Sequence, residues 1–269
     1  FVVVNKDEYI PYMIRAVNEG HTIGVHSASH RYKEIYRSVD ALPGIKKSFI
    51  GSGVRYDLLL HHAKDPKSNE AAKAYTHELI TNHVSGRLNV APEHTSDNVL
   101  RLMRKPPFKQ FREFKRIFDR ICRKEGLRQQ IIPYFISSHP GCRAEDMAEL
   151  AVVTKGLDFH LEQVQDFTPT PMTVATETWY TGYDPYTMEK VFSAKTPQEK
   201  LDQRQFFFWY KPEQRPHIER TLRSMGRPDL IEALYGKQPA RYDRNVTPKD
   251  KHRTNNARKT GKPHRNEHR

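Results

Sequence analysis

In the stretch "GHTIGVHSASH", Gly20 to His30, two histidines stand four residues apart, His26 and His30. On one helical turn, or around a tight loop, that spacing aims two imidazoles at one metal ion. Catalytic zinc usually has three protein ligands and an open position for water, so a third ligand and a base remain to be found. Two neutral imidazoles alone make a weak, mobile site. The pair therefore reads either as a weak zinc site or as ordinary polar loop residues. The chain has two cysteines, Cys122 and Cys142, too few and too far apart for a disulfide framework or a cysteine metal cluster. That usage fits a reducing, cytoplasmic setting.

The elements that must position such residues alternate between strand and helix. "FVVVN" reads as a strand, "EYIPYMIRAVNEG" as a helix ending at Gly20, and "HTIGVHS" as a strand. A new series starts after Leu42–Gly44. "IKKSFIGSG" reads as a strand, "NEAAKAYTHELITNHV" as a helix, "GRLNVAP" as a strand, and "SDNVLRLMRK" as a helix stopped by Pro106 and Pro107. "FKQFREFKRIFDRICRKEG" carries the strongest helical pattern. Phe108, Phe111, Phe114, Ile117, Phe118, Ile121 and Cys122 share one face, and Gly126 supplies the stop. "QQIIPYFIS" (strand), "AEDMAELAVVTKG" (helix) and "HLEQVQDF" (strand) complete four strands between Ile45 and Phe167. This alternation predicts a parallel sheet with right-handed crossovers, about half of an eight-stranded β/α barrel. In "TPQEKLDQRQFFFWY", Thr196 is the expected N-cap, Pro197 the first helical residue and Glu199 the partner that closes a capping box. Short helices are expected around His217–Met225 and Pro228–Leu234.

The 269 residues carry a net charge of +13. From Arg241 onward ten Lys/Arg face three Asp/Glu, giving +7 and leaving +6 for everything before. The bulk is thus mildly basic, with a basic tail that is too polar to order itself and is suited at most to non-specific, salt-dependent contact with nucleic acid. No apolar run approaches the ~18 residues of a membrane span, and no signal-peptide pattern is present. The apolar opening without a Met is the expected signature of a piece from a longer protein.

The first 40 residues, through "FVVVNKDEYIPYMIRAVNEGHTIGVHSASH", resemble the NodB-homology polysaccharide deacetylases. The resemblance implies that His26 and His30 are the two zinc ligands of that family's H-[ST]-x-x-H element. The family's aspartates and its later catalytic histidine have no counterpart in this chain.

From about Leu42 to Tyr235 the sequence resembles the second half of YgiQ-type radical SAM proteins. The likeness rests on "LPGIKKSFIGSGVRYD", "VSGRLNVAPEHTSDNVLRLMRKP", "IIPYFISSHPGCRAEDMAELA" and "LEQVQDFTPTPMTVATETWYTGYDPYTMEKVF". It implies an α/β fold: a partial (β/α) barrel of radical SAM type, with a helical C-terminal extension and a disordered basic tail. The parent reaction is reductive cleavage of S-adenosylmethionine (SAM) by a 4Fe–4S cluster, on an unknown substrate. SAM would lie at the C-terminal mouth of the strands, where barrels place their sites. The resemblance puts Ser52 and Arg55 there, and it puts Glu93 at the carboxylate that accepts hydrogen bonds from the ribose or the methionyl ammonium. Ser138 and His139 fall near the nucleotide, and Asp166 faces the mouth. Each has a plainer role open to it. Ser52 and Ser138 suit helix caps, Arg55 suits a pair with Asp57, Glu93 suits the cap of the following helix, and His94 and His139 suit loop hydrogen bonds. Cys142 is expected at a helix start, as a reactive thiol or an inert surface one.

The family's C-x-x-x-C-x-x-C cluster motif is missing, and a cluster needs thiolates, so the chain by itself is expected to be inactive. The expected organisation is residues 1–40 deacetylase-like, 41–195 half barrel, 196–237 helical extension and 238–269 tail. The two families meet near Ser38–Leu42. That junction is either an artificial join or a β-α-β piece co-opted to bring the barrel to six strands. Three functions compete: a radical SAM half lacking its cluster, a zinc deacetylase remnant, and a basic module that binds nucleic acid or ribosomes.

Overall fold

The computed structural model describes residues 32–64, 66–161 and 164–236. The histidine pair His26/His30, the first two expected strands and the basic tail lie outside them. The chain divides into two units, Phe1–Leu234 and Tyr235–Arg269, and the account below is of the first. No helix among the described residues is long and apolar enough to cross a membrane.

The fold is mixed α/β around a parallel three-stranded sheet. In chain order the elements are α1 (Tyr32–Asp40), α2 (Tyr56–Leu59), α3 (Pro66–Asn82), β1 (Arg87–Glu93), α4 (Asp97–Leu102), α5 (Phe108–Lys124), β2 (Gln130–Ser137), α6 (Ala144–Gly156), β3 (Val164–Asp166), α7 (Val174–Thr181), α8 (Pro197–Arg204), a 3₁₀ turn (Gln205–Phe208), α9 (Arg215–Ser224) and α10 (Pro228–Tyr235). The sheet order is β1-β2-β3. Arg87 is opposite Gln130 at one end, and Ser137 is opposite Asp166 at the other.

The expected strand at Ile45–Gly53 is not formed, so the sheet has three strands in this region rather than four. The backbone facing Ile50 is instead the turn after α3. Ile50 N–H donates to the His83 carbonyl (2.8 Å), and the chain bends at Ser52. A Cβ on Gly53 would stand 3.1 Å from the Asn89 carbonyl oxygen, so this loop lies close against β1.

The phenylalanine stripe of α5 is the core. Phe108, Phe111, Phe114, Phe118 and Cys122 are buried, at spacings of three and four that keep them on one helical face. Tyr56 of α2 packs against Phe111 and Phe114, each at 5.9 Å between ring centroids. The buried residues of α6, Met147, Ala148, Leu150 and Ala151, form a second apolar surface, and α6 packs against the turn carrying the buried Phe206 and Phe207. Lys155 closes that side by donating to the carbonyls of Ala233 (2.9 Å) and Leu234 (2.6 Å), free acceptors at a helix C-terminus. The capping box at the start of α8 forms as the sequence predicts. Thr196 Oγ1 accepts from Glu199 N–H, and Glu199 Oε2 accepts from Thr196 N–H.

Candidate functional site at the strand ends

All three parallel strands end on polar residues at the same edge of the sheet: Glu93-His94, Ser137-Ser138-His139 and Asp166-Phe167. In open α/β sheets this carboxyl edge is where ligands bind. Two of these residues have left-handed backbone, Glu93 at φ 66° and Ser138 at φ 61°. For non-glycine residues that conformation costs on the order of 1–2 kcal/mol, and it persists only where the surroundings enforce it. At Glu93 the cause is visible, because the β1–β2 register shifts between Val90 and Glu93.

Glu93 is 9 % exposed. Its Oε1 meets Lys105 Nζ at 3.1 Å, while Oε2 is buried with no hydrogen-bond partner among the described residues. Ser138 is fully buried. Its N–H donates to Gln203 Oε1 (2.8 Å), and its Oγ also has no partner among the described residues. Two buried polar oxygens thus stand unsatisfied at the ends of adjacent strands, where most buried polar groups are paired.

Behind them lies a neutral, buried trio. His94 Nδ1 accepts from Ser96 N–H (2.9 Å), which assigns the ring proton to Nε2, 3.4 Å from Cys142 Sγ. His139 donates through Nδ1 to the Pro140 carbonyl (2.9 Å) and sets its ring edge-on to Phe167. Burial, with a smaller contribution from His139, pushes the His94 pKa down to about 3. Burial also lowers that of His139 and raises that of the Cys142 thiol. Cys142 is therefore an inert, fully buried thiol, not the helix-start or surface thiol of the sequence reading. The helix itself begins two residues later, at Ala144.

This burial has a pH consequence. The folded His94 titrates near 3 against an ordinary 6.5, so on acidification the unfolded chain takes up the proton first. Its contribution to stability is complete above 6.5 and is lost as pH falls from there toward 3. Urea midpoints of the chain and of His94→Gln, measured across that window, should converge toward the acid end. Parallel profiles would show that His94 is not the buried neutral imidazole described.

Asp166 is already engaged. Its Oδ1 accepts from Ser137 Oγ (2.5 Å), and its Oδ2 accepts from Arg204 Nη1 (2.9 Å). Arg55 pairs with Asp57 through two bonds of 2.9 and 2.6 Å. Ser52 and Arg55 belong to the loop beside β1, since the strand expected to carry them is absent. The structure thus gathers Glu93, Ser138, His139 and Asp166 on one edge of the sheet, without Ser52 and Arg55 at a strand end. It adds Lys105, Gln203 and Arg204, which the sequence reading missed. Gln203 is the instructive case. In α8 the apolar Leu201 is 55 % exposed while Gln203 is 3 % exposed, so apolar periodicity points to the wrong face. Among the described residues no group of three or more His, Cys, Asp or Glu side chains is placed to hold a metal.

The chain is 74 % identical over 205 residues to a UPF0313 protein of Bacteroides thetaiotaomicron, covering 76 % of this chain and 33 % of that protein. A UPF0313 protein of Porphyromonas gingivalis is 60 % identical over 224 residues, 82 % of this chain and 35 % of the relative. One from Clostridium perfringens is 45 % identical over 203 residues, 75 % and 30 % respectively. Over this aligned length the chain belongs to the UPF0313 family. Residues 162–269 also match a domain of unknown function, DUF3362. That match takes in β3, α7 and α8, and so includes Asp166, Gln203 and Arg204. The YgiQ-type resemblance thereby stands at the level of UPF0313 membership. The chain spans about a third of the length of the UPF0313 relatives it matches.

Proposed function

We propose that this segment contributes the nucleoside-binding half of a SAM site in a radical SAM protein. On this reading the β1–β2–β3 sheet is one part of a (β/α) barrel, and the cluster ligands come from outside these 269 residues. The observation that carries it is the pair of buried oxygens, Glu93 Oε2 and Ser138 Oγ, that have no partner among the described residues, at the carboxyl ends of neighbouring parallel strands. A buried carboxylate oxygen left without a donor costs about 1–3 kcal/mol or more. A ribose hydroxyl or a methionyl ammonium supplies the missing donor. Lys105 Nζ pairs with Glu93 Oε1, which leaves Oε2 to accept, and Ser138 Oγ can donate or accept.

With the complete protein, the cluster would supply the electron that cleaves the cofactor. This chain's two cysteines do not fit a cluster, and no step here runs through one. Its own residues bind and orient the nucleoside.

The chain should therefore bind adenosine and SAM at best at roughly millimolar concentration, worth about 4 kcal/mol. Glu93→Gln keeps the shape but loses the charged acceptor, and it should weaken binding about tenfold, near 1.4 kcal/mol. Ligand-detected NMR titration of both chains reads this. Micromolar binding that survives Glu93→Gln would move the site elsewhere.

A further inference from the structure

We infer that Gln203 is the positioning residue of the strand-end site: its side-chain amide holds the Ser138–Cys142 loop in the shape that presents Ser138. The functional meaning of this role rests on the nucleoside reading above, but the role itself is a matter of hydrogen bonding.

The loop needs an external hold. Ser138 has φ 61° and Gly141 φ 87°, so two of its five residues are left-handed, and the first carries a Cβ. Its own turn bond, from Cys142 N–H to the His139 carbonyl (2.9 Å), closes the middle of the loop. It leaves the Ser138 N–H and the Cys142 carbonyl at the two ends. Buried peptide groups must find partners, and one side chain serves both. Gln203 Oε1 accepts from Ser138 N–H (2.8 Å), and Nε2 donates to the Cys142 carbonyl (2.9 Å). The partners lie 65 and 61 residues before Gln203 in sequence. An amide is the side chain that offers a donor and an acceptor side by side at fixed separation. Gln203 therefore sets the distance between the two ends of the loop as well as satisfying each.

Helix α8 is itself fixed to the strand ends, so the amide is not a loose tether. Arg204, the next residue, holds Asp166 at the end of β3 (2.9 Å), and the Thr196–Glu199 capping box anchors the start of the helix. Two adjacent side chains of α8 thus grip the ends of β2 and β3. The Ser138 Oγ, unpartnered and buried, is attached to a backbone whose left-handed φ this grip maintains. A residue that only filled space at position 203 would leave the Ser138 N–H and the Cys142 carbonyl without their partners, and the loop would relax toward ordinary φ.

The test compares Gln203→Met with Gln205→Met in the full chain. Gln205 is an equally buried glutamine (3 % exposed) whose side-chain bonds among the described residues stay within the C-terminal helical region, to Asp202 O and Thr221. Amide hydrogen exchange over Ser137–Cys142 is read without ligand, and adenosine binding is read by ligand-detected NMR. Gln203→Met should speed exchange at Ser138 at least tenfold and weaken adenosine binding, while Gln205→Met changes neither. Exchange at Ser138 that stays slow in Gln203→Met, or that rises equally in Gln205→Met, overturns the assignment. If Gln203→Met does not fold, Gln203→Glu retains the acceptor for Ser138 and loses the donor to Cys142. Slow exchange at Ser138 in that variant supports the assignment, and fast exchange overturns it. A wild-type chain that binds no adenosine, with the loop still loosened by Gln203→Met, removes the nucleoside reading and leaves the positioning role standing.

Discussion

Phe111→Ala is expected to destabilise the chain by about 3–5 kcal/mol, the range for emptying a buried phenylalanine site. Phe111 is fully buried at the centre of the α5 stripe. Its ring meets Tyr56 edge-on at 5.9 Å, Phe108 at 5.3 Å and Phe159 at 6.2 Å. Removing it deletes three aromatic contacts at once, and the remaining rings sit on three separate segments that cannot all move inward together. With about 2–4 °C of Tm per kcal/mol for a chain of this size, the melting temperature should fall by roughly 10 °C. The urea midpoint should drop with little change in slope, because a cavity changes stability and not the surface exposed on unfolding. A loss under about 1 kcal/mol would mean that the α5 face is not the packed core described here.

Gly141→Ala comes next in size. The position has φ 87°, and a Cβ there would lie 2.2 Å from Leu102 Cδ1. Left-handed backbone in a residue with a Cβ costs about 1–2 kcal/mol, and displacing a neighbouring side chain in a packed interior costs about 1–3 more. The leucine end can swing, so the sum falls near 3 kcal/mol rather than at the upper limit. The shift also has an address. Leu102 ends α4, three residues before the lysine that pairs with Glu93, and Gly141 N–H is bonded to the Phe192 carbonyl (2.7 Å). Unfolding curves should therefore move together with a weakening of adenosine binding. An unchanged melting temperature in Gly141→Ala would refute the close approach of the two loops.

The elements that the sequence reveals are those whose signal is local. The α5 stripe shows a 3.6-residue period in large aromatics, and the Thr196 capping box is written in three residues. The runs at Arg87–Glu93 and Gln130–Ser137 are too short and β-rich for anything but buried strands. Ile45–Gly53 looks much the same by composition, yet its Ile50 N–H bonds to the His83 carbonyl rather than pairing along the edge of β1, and pairing is decided by tertiary placement. The short helices α2 and α7 are too brief to show a period. At the site, the resemblance pointed to Glu93 and Ser138, but nothing in their side chains announces left-handed backbone, which a glycine would have signalled. Lys105, Gln203 and Arg204 act through contacts with residues 12 to 65 positions away, and a buried glutamine opposite an exposed leucine inverts the pattern that core prediction relies on.

The left-handed backbone at Glu93 and Ser138 sets heat tolerance against chemistry. Glycine at either position would release the Cβ strain, and at position 93 it would also remove a buried carboxylate oxygen that the fold leaves unanswered. The fold on its own is thus better served without the two side chains that a ligand would use. A laboratory population of this chain selected only for surviving heat would drift toward glycine at both positions and lose the proposed nucleoside site in the process. The same population grown hot with a nucleoside that binds as proposed would be pressed to keep the glutamate, since that ligand would supply the donor that makes the strained end the more stable one.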